Sequence, residues 1–175
     1  MTIKEELDLV VLAKTGDKNA VSSLWDVITP KLYGYLVNTL KDNNLADDIL
    51  QETWLKAVTS LNKFEPRGVK FSAWLFAIAR NECRQHWRQQ HKTVNLDEDS
   101  EVEKLAETFM IKDDLTDKIL LNEILEKIQE KDQEILRLRY LGELSFKDIS
   151  QILHVSSIAA RLRVYRALGK AKASL

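Results

Sequence analysis

The stretch that decides the fold is ELSFKDISQILHVSSIAARLRVYRALGKAKA, residues 143–173. It reads as a short helix near 146–153 and a longer one near 156–173, with a tight turn near His154 between them. Ser145 with Asp148 resembles a capping box in which Asp replaces the usual Glu or Gln. Ser156 stands where it can cap the second helix. From His154 onward there are five Lys or Arg and no acid, and Arg163, Arg166 and Lys170 share an arc with Ala159. A short helix, a turn and a basic helix match the arrangement that lays its second helix in the DNA major groove. A plain helical hairpin has the same outline, so this segment alone leaves both readings open.

Working back along the chain, residues 116–129 and 131–141 read as helices, with Gly142 as a C-terminal stop. Residues 92–115 have no clean period and are rich in Asp and Glu, which marks a linker with at most a helical turn. Phe71 to about Gln90 is helical, and NKFEPRGVK, 62–70, holds Pro66 and Gly68 and reads as a loop. A helix starts at Asn43 or Asn44 and ends near Leu61. Asp17 is the expected N-cap of a helix running to about Lys41, with Pro30 as a candidate kink. Residues 3–15 form a short amphipathic helix ended by Gly16. Five glycines and two prolines in 175 residues favour helices over strands. The expected fold is therefore all-α. Two small helical domains, residues 1–91 and 116–175, are joined by the acidic linker 92–115, and the second is a helix-turn-helix.

The net charge of −1 hides a segregation. Residues 42–61 carry 1 basic and 4 acidic side chains, whereas 62–92 carry 7 and 2. Residues 93–134 carry 5 and 14, and 135–175 carry 8 and 2. Two basic blocks flanking an acidic stretch suggest two contacts with a polyanion. No apolar run is long enough to span a membrane, and MTIKEELDLV lacks the features of a signal peptide. The single cysteine, Cys83, cannot form an internal disulfide, which fits a reducing cytoplasm. The sequence offers no nucleophile–base pair, phosphate-cradling glycine loop or metal cluster, so neither catalysis nor a cofactor is expected. Cys83, His86 and His91 lack a fourth ligand at metal spacing, and Cys83 reads as an ordinary buried side chain.

Two helices carry the segregated charge. In 44–61, Ile49, Leu50, Thr53, Trp54, Ala57, Val58 and Leu61 share a core arc. Asp48, Gln51, Glu52, Leu55 and Thr59 lie opposite. That outer side is either a solvated face with one stray leucine or a docking surface with Leu55 as its apolar anchor. In 71–90, Phe71, Trp74, Leu75 and Ile78 form the expected buried side. Arg80, Arg84 and Arg88 recur every four residues as a stripe, with Asn81 and Gln85 beside it and Phe76 and Trp87 near its other edge. This is a solvated basic face over an aromatic core, or a surface on which guanidinium groups hold phosphate and amides read bases. The loop before it, with Lys63 and Phe64, is placed to cup an extruded base.

Together these segments resemble the extracytoplasmic-function group of bacterial sigma factors over nearly the whole chain. ADDILQETWLKA, 46–57, is similar to the helix that docks on the clamp of the largest polymerase subunit. FSAWLFAIARNECRQHWRQ, 71–89, is similar to the helix that reads and opens the −10 element. LSFKDISQILHVSSIAARLRVYRA, 144–167, is similar to the helix-turn-helix that reads the −35 element. By position, the resemblance implies polymerase contacts at Asp47, Asp48, Gln51, Glu52 and Leu55. It implies a flipped-base contact at Asn81, bordered by Lys63 and Phe64, with Arg80, Arg84 and Arg88 on the strand backbone. Ser157, Arg161, Arg163, Arg166 and Lys170 would face the upstream element. The implied partners are core RNA polymerase, promoter DNA and an anti-sigma protein, with no insertion in a membrane.

There are departures from the family pattern. Ala77 stands where the family often has Arg, His154 replaces a usual turn glycine, and Ser150 a usual alanine. Ile158, Ala159 and Leu162 occupy places of small or hydroxylated DNA-facing residues. They would touch thymine methyls or dock on a protein. The linker of about 24 residues reaches roughly 80 Å at most, against about 50 Å for one and a half turns of B-DNA. It is either a solvating spacer or, as the resemblance implies, a segment lying in a basic channel of polymerase. Neither basic module is strongly charged, so the free chain should bind DNA weakly. Two other functions fit parts of the chain. One is a dimeric promoter-binding regulator that needs no polymerase. The other is a helical adaptor that docks through Ile158, Leu162 and Tyr165.

Overall fold

Helices start in this chain where a side chain offers an acceptor to the unpaired N–H groups of a first turn. Thr2 caps α1 (Ile3–Lys14) in a reciprocal box with Glu5. Asp17 caps α2 (Lys18–Leu40), accepting from the N–H groups of Asn19 at 2.8 Å and Ala20 at 3.3 Å. Asp42 caps α3 (Asn43–Thr59), which starts at Asn43 as expected, by accepting from Leu45. After a tight turn at Leu61–Lys63 and a short irregular loop comes α4 (Phe71–Gln90). The residue before α4 is Lys70, which has no acceptor. The cap comes instead from α1, where both carboxylate oxygens of Glu6 accept from Ser72.

The computed structural model describes residues 1–66, 68–90 and 125–173. The acidic segment 92–115 and most of the helix expected at 116–129 lie outside them. The chain divides into two compact units, residues 1–92 and 93–175. No strand occurs among the described residues.

In the first unit α2, α3 and α4 pack against one another, with α1 lying on α2 and α4. Leu24, Leu32, Tyr35 and Leu36 of α2, Ile49, Trp54 and Ala57 of α3, and Phe71, Leu75, Phe76 and Ala79 of α4 are all buried. A chain of rings runs through this core. Trp25 meets Trp54 at 5.0 Å, Trp54 meets Phe71 at 6.3 Å, and Phe64 lies edge-on to Phe71 at 5.4 Å. Such pairs add about 0.5–1.5 kcal/mol beyond the burial of their area. α2 runs unbroken through the exposed Pro30.

In the second unit, α5 (Glu130–Leu136) continues into a wider turn, Arg137–Leu141, whose end is marked by the Gly142 N–H reaching the Arg137 carbonyl at 3.0 Å. Arg137 lies in the core, 1% exposed, and donates to Glu130 at 2.5 Å and to Gln133. These partners offset the desolvation of its charge. α6 (Phe146–Leu153) is closed by the Ser145–Asp148 box, and α7 (Ser157–Ala173) by the Ser156 hydroxyl accepting from Ala159. α5 and α6 both pack on α7. His154 takes the left-handed turn between α6 and α7 at φ 54°, a conformation His tolerates better than most residues. The preceding helical segment stops at Gly142, as expected. Gly142 is right-handed at φ −76°, and Glu143 takes the left-handed position at φ 52°.

Candidate nucleic-acid and protein interfaces

The outer side of α3 is built by default: its inner arc fills the core, so the rest of its surface faces outward. Asp47, Asp48 and Gln51 are exposed, and Leu55 is 60% exposed. Val58, expected in the core arc, is 47% exposed instead. It lies three residues from Leu55, so the two make an apolar pair on one face. The stray leucine is therefore not alone. Glu52 is half-buried, and Lys56 reaches it at 3.3 Å and Glu82 of α4 at 2.6 Å. The Glu82 hydrogen bond, helped by Glu52, raises the Lys56 ammonium above its ordinary pKa. Tyr33 of α2 is also raised, first by desolvation and then by the Asp47 carboxylate, which accepts its hydrogen bond. Lys56 and Tyr33, which periodicity did not single out, thus tie two carboxylates of the face to neighbouring helices.

On α4 the buried arc is displaced around the helix from the expected one. Leu75, Phe76, Ala79 and Cys83 are buried, whereas Trp74 and Ile78 are only half-buried. Phe76, expected near the edge of the arginine stripe, packs on Tyr35 at 5.4 Å. Asn81, Gln85 and Arg88 are exposed, and Arg80 and Arg84 are half-buried. Cys83 is a free, buried thiol. His91 lies outside the described residues, and no group of His, Cys, Asp or Glu fit to hold a metal occurs among those described.

Phe64 requires a correction. Its ring is 3% exposed and packed on Phe71 at 5.4 Å and Trp74 at 5.2 Å. Its carbonyl accepts from the Lys14 ammonium at 2.7 Å. A ring committed to the core presents no stacking face, so a base in this loop would meet the exposed Asn62, Lys63 and Glu65. The aromatic with free surface here is Trp74, half-buried and seven residues before Asn81, so on the same side of α4.

In the second unit Arg166 and Ser157 are exposed and Arg163 half-buried, all on α7. Two expected DNA contacts are engaged within the unit. Lys170 binds Asp132 of α5 at 2.5 Å. Arg161 lies over the rings of Phe146 at 5.5 Å and Tyr165 at 5.9 Å, and Arg139 also covers Phe146, at 4.8 Å. The Ser157 hydroxyl is 3.3 Å from that of Ser150. The apolar arc of Ile158, Leu162 and Tyr165 does not form. Leu162 is core, Tyr165 packs on Phe146 at 6.0 Å, and only Ile158 stands out, at 68% exposure.

Comparison with known proteins places these surfaces in a family. The model for Sigma-70 region 2 matches residues 24–93, and that for Sigma-70, region 4, matches residues 118–170. The ECF RNA polymerase sigma factor SigD of Mycobacterium tuberculosis is 31% identical over 178 aligned positions, covering 96% of this chain and 83% of SigD. The chain belongs to the ECF sigma factors. It therefore binds core RNA polymerase and directs promoter recognition and the start of transcription. SigM of Bacillus subtilis is 28% identical over 160 positions, covering 87% of this sigma factor and 93% of SigM. The fold is that of the sigma factor RpoE in its co-crystal structure with the anti-sigma factor NepR from Bartonella quintana, at a TM-score of 0.63 and 21% identity, covering 87% and 94% of the two chains. No described helix of the sigma factor is long and apolar enough to cross a membrane.

Proposed function

We propose that this sigma factor works as a bridge with three separate faces. Asp47, Asp48, Gln51, Leu55 and Val58 on α3 dock on the polymerase clamp. Their carboxylates would repel phosphate, so this face meets protein and not DNA. Arg80, Arg84 and Arg88 on α4 hold the backbone of the opened −10 strand. Asn81, with Lys63 and the half-exposed Trp74 beside it, receives an extruded base. Extrusion costs a few kcal/mol, and stacking and pocket contacts of about 1–3 kcal/mol per base offset it. Ser157, Arg163 and Arg166 on α7 face the −35 element as duplex, and Ile158 meets bases in the groove. Residues 92–115 join the −10-reading domain, residues 1–91, to the −35-reading domain, residues 116–175. The protein has no catalytic chemistry of its own, works in the cytoplasm and is held in check by an anti-sigma protein. That last assignment is supported by the RpoE–NepR complex, whose sigma chain shares this fold.

The observation that carries the reading is the division of labour within the first unit: acid and two exposed aliphatics on α3, arginine and amide on α4. Asp48→Arg with Leu55→Arg is expected to lower affinity for core polymerase more than tenfold, with helix content unchanged because both side chains are exposed. Unchanged affinity would remove the docking face.

A further inference from the structure

The segment preceding the region-2 match, α1, contacts the start of α4 and the loop before it. α4 begins at Phe71 after Lys70, whose ammonium side chain has no acceptor to offer as a cap. Glu6 replaces that cap from 66 residues away. Its Oε2 accepts from the Ser72 N–H at 2.9 Å and its Oε1 from the Ser72 hydroxyl at 3.0 Å. The carboxylate side chain is 3% exposed, and a negative charge at a helix N-terminus is further favoured by the aligned backbone dipoles. Two more contacts bind the same region to the N-terminal segment. The Lys14 ammonium donates to the Phe64 carbonyl at 2.7 Å and lies 6.0 Å from the centre of that ring. The Lys70 ammonium donates to the Met1 carbonyl at 3.2 Å. All three contacts fall on the loop and the first turn that lead into α4.

We infer that Glu6 and Lys14 are positioning residues for −10 recognition: Glu6 fixes the N-terminus of α4, and Lys14 fixes the loop at Phe64, so that Lys63, Trp74 and Asn81 meet the strand in one geometry. This rests on the reading of α4 as the strand-reading helix. Neither residue touches DNA.

The test uses the full chain bound to core polymerase. The probe is a fluorescent single-stranded oligonucleotide selected from a random pool by the wild-type holoenzyme. Measurements are made below the melting temperature of each variant, with helix content checked. Glu6→Ala is expected to keep polymerase affinity within twofold and to lose more than tenfold in strand affinity. Adding Lys70→Asn, which supplies a local cap, should restore most of that loss. Lys14→Met, at a half-buried site that caps no helix, should lose strand affinity by at least threefold, and it decides the matter should Glu6→Ala fail to fold. Strand affinity within twofold of wild type, an equal loss of strand and polymerase binding, or no recovery with Lys70→Asn would overturn the inference. Asn81→Ala is measured alongside. If it binds the strand normally, the reading of α4 itself has failed; if it is impaired while the α1 variants are not, only the positioning role has.

Discussion

Phe64 shows how a single side chain changes the account of a surface. Its sequence position, in a basic loop before an arginine-rich helix, suits a base platform, yet its ring closes the core between Phe71 and Trp74. Phe64→Ala is accordingly expected to destabilise the first unit by about 3–5 kcal/mol through loss of burial and creation of a cavity, read from urea denaturation. A loss below about 1 kcal/mol, with strand binding abolished, would return Phe64 to the surface. The residue was misread because a loop has no period: nothing local states which way its side chain points. Asp17, Ser145, Asp148 and Ser156 were legible for the opposite reason, since a cap and the N–H groups it serves lie two or three residues apart. The Glu6–Ser72 cap spans 66 residues and could not be read from either end.

At the scale of the helix, periodicity located α2, α3, α4, α6 and α7 within a residue or two at most ends but fixed their inner faces less well. Val58 sits at the margin of the α3 arc, where the core no longer reaches it. α4 buries the Phe76–Cys83 side, where Tyr35 packs on Phe76. On α7, Leu162 is buried and Tyr165 packs on Phe146, which leaves only Ile158 of the adaptor surface suggested by sequence. Of the cations of this helix, Lys170 is held by Asp132 and Arg161 lies over two rings, while Arg166 is exposed and Arg163 half-buried. Replacing both, Arg163→Ala with Arg166→Ala, should reduce the slope of log affinity against log salt for duplex −35 DNA by about 2, near 0.9 per phosphate lost. An unchanged slope would assign upstream binding to other residues.

At the scale of the whole molecule, a net charge of −1 conceals the separation on which the function depends. Acid is concentrated in residues 42–61 and 93–134, and base in residues 62–92 and 135–175. On the proposed reading, the free chain binds DNA weakly and its DNA contacts follow docking of the α3 face. The two-domain all-α plan was legible because capping, punctuation and charge blocks coincide along the chain. Which side chains of α3, α4 and α7 face outward became visible only when exposure was known residue by residue. The most direct measurement is run-off transcription by purified core polymerase on a library of promoter fragments, with and without this chain. Discrete transcripts that appear only with the chain, and vanish with Asp48→Arg plus Leu55→Arg, are the expected result; no chain-dependent start site on any fragment would contradict the account.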